Sequence, residues 1–201
     1  SRLSPPMAPS DLELLADPAR LGVEVARVAE EISAQHPDGV TLVGVLKGSV
    51  VFLADLARHV TVPTLIDFVA VTPYDGVAGR TRVVKDLDQS IAGRPVVIVT
   101  GIVDTGLTAD FLRRHLWAAD PASVRVATLA DRSTRRLLPL TPDYVALELP
   151  DRFLIGYGRD HGGRYRNAPG LWGVDPAAVV ADPDRYLGAL YGAGPSTSGE
   201  R

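Results

Sequence analysis

Asp104 stands between a strand-like apolar run and a turn carrying Thr105, Gly106 and Thr108, within Pro-Val-Val-Ile-Val-Thr-Gly-Ile-Val-Asp-Thr-Gly-Leu-Thr, residues 95 to 108. One carboxylate, two hydroxyls and a glycine turn are the ingredients of a phosphate cradle. Val96 to Val99 is β-branched and uninterrupted, the pattern of a strand buried on both faces of a parallel sheet, and Ala109 to Trp117 reads as the helix that follows. The turn then stands at the carboxyl end of a strand, where open α/β sheets place ligands. The N–H groups of Thr105 to Thr108 converge at a helix N-terminus, whose dipole favours an anion. The same three residues, Asp104-Thr105-Gly106, also suit a plain helix N-cap, and both readings stay open on the residues alone.

The elements that must position this turn alternate along the chain. Asp17-Pro18 opens a helix over Pro18 to Ala34, with Leu21, Val25, Val28 and Ile32 at helical spacing. Val40 to Leu46 reads as a buried strand, Lys47-Gly48-Ser49 as a turn, and Val51 to His59 as a second helix. Strands are expected at Thr64 to Val71, Ser123 to Leu129, Tyr144 to Leu149 and Phe153 to Tyr157, with a short helix at Pro183 to Tyr191. Thr72 to Asp88, with two glycines and no sustained apolar period, reads as a long mobile loop or a loose β-hairpin. This rhythm predicts an α/β fold with a mainly parallel central sheet flanked by helices. The domain is expected over 16–191, between a flexible start at 1–15 and a disordered Gly/Ser/Pro-rich tail at 192–201. Ser1 to Pro6, ahead of the only Met, are set aside.

Composition narrows the function classes. With 201 residues, 46% hydrophobic and 22% charged, the chain has the composition of an ordinary globular domain. Cys is absent, which removes thiolate catalysis and cysteine metal sites, and the formal net charge of −3 argues against a nucleic-acid footprint. No stretch approaches the apolar length of a membrane span and no secretory signal pattern opens the sequence, so a cytoplasmic protein is expected. His36, His59 and His115 lack metal-ligand spacing and are expected on the surface or in helices, and Trp117 and Trp172 are expected as packing anchors.

Ile98 to Thr108 resembles the phosphoribosyl-pyrophosphate (PRPP) motif of the type I phosphoribosyltransferases. Val45-Leu46-Lys47-Gly48-Ser49, Lys85-Asp86-Leu87-Asp88 and Leu149 to Gly158, with Asp160, Tyr165 and Arg166, follow in the family's order and narrow the resemblance to its hypoxanthine-guanine members. The resemblance implies glycosyl transfer from PRPP or a related sugar phosphate to a purine-like or non-standard nitrogenous acceptor, with release of pyrophosphate. Asp104 would be the general base. Thr105, Gly106, Leu107 and Thr108 would hold the 5′-phosphate, and Leu46-Lys47-Gly48, with a cis peptide, would meet the pyrophosphate together with Arg166. Phe153 would stack on the base, Leu154 would offer backbone groups to its edge, Arg132 would read the base, and Asp160 would help position Mg²⁺. Tyr74 would stand at the tip of a flexible lid, a small hood would accompany the sheet, and a homodimer or homotetramer is expected.

The departures from the family pattern cluster on the substrate side. Thr100 and Gly101 occupy the positions of an acidic pair that accepts hydrogen bonds from the ribose hydroxyls; without both, binding of an ordinary donor weakens by roughly 3 to 6 kcal/mol. Arg132 replaces a Lys, and Pro73 a Ser beside Tyr74. Together they predict altered specificity in a specialised pathway. A different reaction on a nucleotide-like substrate, or a non-catalytic nucleotide sensor, are the alternatives. Lys47 as a solvated turn lysine, Arg132 within a solvent-facing charge cluster and Phe153 as core are the bland readings of the same residues.

Overall fold

The computed structural model describes residues 9–73 and 81–192. Its elements begin with β1 (Glu13–Ala16), α1 (Pro18–Gln35), β2 (Val40–Leu46), α2 (Val50–His59), β3 (Thr64–Pro73), β4 (Thr81–Lys85), β5 (Pro95–Val103) and α3 (Leu107–Trp117). They continue with β6 (Ser123–Asp131), a 3-10 turn (Ser133–Arg135), β7 (Tyr144–Glu148), β8 (Phe153–Ile155), β9 (Leu171–Val174), α4 (Pro176–Ala181) and α5 (Leu187–Tyr191). The described residues divide into two compact units, a larger one over residues 18–151 and a smaller one formed by 9–17 with 152–192.

In the larger unit the apolar runs make a six-stranded sheet in the order β4-β3-β2-β5-β6-β7, all parallel except β4. Both faces are covered, as runs without polar alternation require. Successive residues of β2 point to opposite faces. Val43 joins Ile98 of β5 and Leu112 and Leu116 of α3 in one buried cluster. Gly44 meets α2 on the other side, where a Cβ would stand 2.7 Å from Leu53 Cδ2; the missing side chain lets that helix approach the sheet. Leu112 and Leu116, at most 1% exposed, contribute about 1.5 to 3 kcal/mol each by burial. The carboxyl ends of β2 and β5 are thereby fixed beside the first turn of α3.

The smaller unit is a three-stranded antiparallel sheet, β1-β9-β8, with a core of Ile155, Tyr165, Val174, Val179 and Tyr186. Asp11 receives Arg185 Nε and Nη2 at 3.1 and 3.0 Å and the Tyr186 hydroxyl at 2.5 Å. Arg185 in the first place and Tyr186 in the second hold the Asp11 carboxyl down at about 2. Burial, then the neighbouring carboxylate, pushes the Tyr186 phenol up to about 12.

Several expectations are corrected. Glu13–Ala16 is a strand, so the boundary placed at residue 16 falls inside β1; its four residues carry no periodicity, and their partner is remote β9. α4 is not among the expected elements, although Asp175-Pro176 is a cap signal: the Asp175 carboxylate accepts from Ala177 N–H at 2.9 Å. β5 continues four residues past Val99, because Thr100, Ile102 and Val103 pair with Thr128, Ala130 and Asp131 of β6; Thr100 and Gly101 are strand residues, not turn residues. The alternative at 72–88 resolves toward a hairpin, with β4 antiparallel to β3. Trp117 is 56% exposed, so it anchors no core, whereas His36 is buried. Tyr74 and residues 193–201 lie outside the described residues.

Candidate active site

The turn from Asp104 to Gly106 joins the end of β5 to α3, and it borders a cavity of about 140 Å³ lined by Val45, Thr100, Ile102, Asp104, Thr105, Gly106 and Thr108 among others. Gly106 is the N-cap residue and lies at φ +86°, the left-handed region that glycine enters without steric cost; α3 therefore begins two residues earlier than periodicity indicates. The first α3-type bond is Asp110 N–H to Gly106 O, 2.9 Å. Among the described residues no protein acceptor takes the N–H of Thr105, Gly106, Thr108 or Ala109, and Leu107 N–H has only a long 3.4 Å contact to Thr105 Oγ1. Unpaired donors at a helix start, beside a cavity, are an arrangement that suits an anion.

Asp104 is half-buried at the cavity edge. Its Oδ2 accepts from Arg132 Nη2 at 2.8 Å. Its Oδ1 is buried without a hydrogen bond, with Arg135 Nε 3.4 Å away. Arg132 and Arg135 each also place Nη1 3.5 Å from Asp151 Oδ1. With Oδ2 bonded to Arg132 and Oδ1 lacking a hydrogen bond, the Asp104 side chain keeps acceptor capacity that a ligand N–H could use. Arg132, 9% exposed, is no solvent-facing charge.

Arg136 stands four residues after Arg132, in the same charged stretch. Its Nε donates to Asp104 O at 3.0 Å, and its Nη1 and Nη2 donate to Leu140 O and Asp131 Oδ1. Burial raises the Asp131 carboxyl above its ordinary range, with Arg136 acting in the opposite direction. No spacing signal marks Arg136, because its partner carbonyl is 32 residues away.

At the end of β2, Lys47 is exposed, Gly48 is half-buried and the Leu46–Lys47 peptide is cis. Ser49 Oγ donates to Val45 O at 2.8 Å and ties the turn to the strand. In the smaller unit Phe153 is half-buried, packs against that unit's core and meets His161 edge-on at 5.8 Å, while Leu154 is 4% exposed and pairs with Gly173. Asp160 accepts from Arg166 Nη2 at 2.8 Å and from Gly163 N–H at 2.9 Å; Arg166 Nη1 also donates to Gly158 O at 2.6 Å. Among the described residues no three His, Cys, Asp or Glu side chains converge as a metal cage. A single carboxylate fits Mg²⁺, which binds through one or two carboxylates plus substrate phosphates and keeps waters. No described helix is long and apolar enough to cross a membrane.

Comparison with known proteins identifies the family. A family model for the phosphoribosyl transferase domain matches residues 13–161. The hypoxanthine-guanine phosphoribosyltransferase of Mycobacterium tuberculosis is 39% identical over 161 residues, covering 79% of this chain and 80% of that protein. A crystal structure of a hypoxanthine-guanine phosphoribosyltransferase from Bacillus anthracis, with HEPES in its active site, superposes with a TM-score of 0.78 at 35% identity, covering 81% of this chain and 98% of the other. The hypoxanthine phosphoribosyltransferase of Trypanosoma cruzi, as a mutant complexed with the product IMP, gives a TM-score of 0.81 at 31% identity, covering 89% and 99%. The chain belongs to the type I phosphoribosyltransferase family, as a transferase similar to its hypoxanthine-guanine members.

Proposed function

We propose that this protein transfers the phosphoribosyl group of PRPP to a purine base and releases pyrophosphate. The observation that carries the reading is the β5–α3 turn, with amides free to hold a 5′-phosphate next to Asp104 Oδ1, which lacks a hydrogen bond and can accept one from a ring N–H. A charged acceptor beside preset donors suits a reaction in which positive charge develops on the sugar and negative charge leaves with pyrophosphate. Asp104 is the general base, and Thr105, Gly106, Leu107 and Thr108 hold the phosphate. Leu46, Lys47 and Gly48 meet the pyrophosphate. By the resemblance to the family, Arg166 would serve the pyrophosphate, Asp160 the Mg²⁺, and Phe153 and Leu154 the base. Mg²⁺ would neutralise the pyrophosphate as it departs.

The finer part of the proposal concerns specificity. Thr100 and Gly101 supply no carboxylate to the cavity, and Arg132 carries a planar fork where a single ammonium is usual in the family. This favours an acceptor or sugar other than the ordinary purine-salvage pair, in a specialised pathway.

Pyrophosphate release from PRPP and Mg²⁺, measured against hypoxanthine, guanine, xanthine and a panel of other nitrogen heterocycles, tests both parts. Turnover with at least one heterocycle and its loss in Asp104→Asn support the reading. Tight nucleotide binding without pyrophosphate from any acceptor contradicts it and favours a sensor.

A further inference from the structure

In an α-helix extended by one turn, Thr108 N–H would donate to the carbonyl of Asp104 and Ala109 N–H to that of Thr105. Both carbonyls are instead occupied from outside the helix: Arg136 Nε takes Asp104 O at 3.0 Å, and Leu137 N–H takes Thr105 O at 2.9 Å. Arg136 is itself fixed at its other two nitrogens by Leu140 O and by Asp131 Oδ1. Asp131 is the register partner of Val103, the last residue of β5, so the anchor sits directly beside the strand that feeds the turn. The stem of Arg136 also covers the turn: a Cβ on Gly106 would stand 3.0 Å from Arg136 Cδ. Its side chain is only 14% exposed and that of Asp131 10%, so the guanidinium is matched locally by a carboxylate and acts on the turn through the backbone.

We propose that Arg136 is a positioning residue: by holding the Asp104 carbonyl away from α3, it keeps the helix's first amides free for the 5′-phosphate before any ligand arrives. The inference rests on the phosphate reading of this turn and deepens it. Amides already unpaired and oriented lose little freedom on binding, which is how preorganisation raises affinity. Without Arg136 the Asp104 carbonyl is released and only Leu137 N–H, on Thr105 O, still opposes winding; two further residues of α3 then close Thr108 N–H on Asp104 O, removing a donor from the cradle and shifting Asp104 with it. Neither Lys nor Met reproduces the fork, since the two outer contacts diverge from a rigid plane.

The test compares wild type with Arg136→Lys and Arg136→Met by calorimetry with PRPP and IMP, by steady-state kinetics and by melting temperature. For Arg136→Lys, which keeps the charge and the stem, KM for PRPP is expected to rise on the order of tenfold, with KM for the base nearly unchanged. Free guanidinium ion in the assay is expected to restore part of the PRPP affinity of Arg136→Met, an outcome that a merely destabilised fold would not give. If Arg136→Met does not fold, the Arg136→Lys KM pair decides alone. Wild-type PRPP affinity in Arg136→Lys overturns the role of Arg136 while leaving the phosphate reading intact. A wild-type protein without affinity for PRPP or IMP overturns the phosphate reading, and this inference with it.

Discussion

Arg132 Nη2 stands 2.8 Å from Asp104 Oδ2, so the residue expected to read the base is bonded to the expected general base. The two roles are therefore coupled: a ligand that draws Arg132 toward its own carbonyl also changes how firmly Asp104 is held. Arg132→Lys keeps a cation but not the contact to Asp151. It is expected to change KM for the acceptor by about three- to tenfold and to leave KM for PRPP unchanged. Steady-state kinetics with each substrate varied in turn checks this split; equal changes in both constants argue against a base-side role.

Thr100 lines the cavity, whereas Gly101 is buried in β5, so only position 100 offers a carboxylate room to face a ligand. With Mg²⁺ present, Thr100→Glu is expected to tighten PRPP binding by at least about tenfold if the donor carries ordinary ribose hydroxyls. Calorimetry that records no gain points to a different sugar.

Gly156 lies at φ +86°, and a Cβ there would stand 2.2 Å from the carbonyl oxygen of Gly170, a backbone atom with no rotamer to yield. Gly156→Ala is expected to cost about 2 to 4 kcal/mol in urea-melt stability. A melt within 0.5 kcal/mol of wild type, on the scale of neutral surface substitutions, contradicts the close approach.

His36 is 7% exposed, with Nε2 3.3 Å from the Tyr144 hydroxyl; burial, then the nearby Arg125, holds its pKa below the ordinary 6.5. Above pH 6.5 the ring is neutral in folded and unfolded chains alike, and its contribution to stability is complete. As pH falls through 6.5 the unfolded chain takes up the proton that the folded one resists, and stability declines until the folded-state pKa is passed. Urea melts at pH 7.5 and 5.5 are expected to show a smaller decline for His36→Gln than for wild type. Equal declines would remove His36 from the acid sensitivity.

The sequence exposes those parts of the fold that rest on local pattern. β2 and β5 are legible because strands buried on both faces are dominated by Val, Ile and Leu, and α1 because Leu21, Val25, Val28 and Ile32 keep helical spacing. β1 was not legible: four residues pair with a strand more than 150 positions away, and nothing local announces it. The turn at Asp104 could be found from its residue types, but its state depends on carbonyls captured by Arg136 and Leu137, about 30 residues downstream. The burial of Arg132 and His36 is likewise a tertiary fact, invisible in a charged run and at a helix end.

The most direct measurement is a ¹⁵N chemical-shift titration of the backbone amides with IMP. Thr105, Gly106, Leu107 and Thr108 are expected to show the largest shifts in the larger unit, saturating together, and to move equally in Asp104→Asn, because the phosphate rather than the base engages them. Saturable IMP binding that leaves these four amides unmoved would contradict the phosphate cradle, and with it the catalytic role built on Asp104.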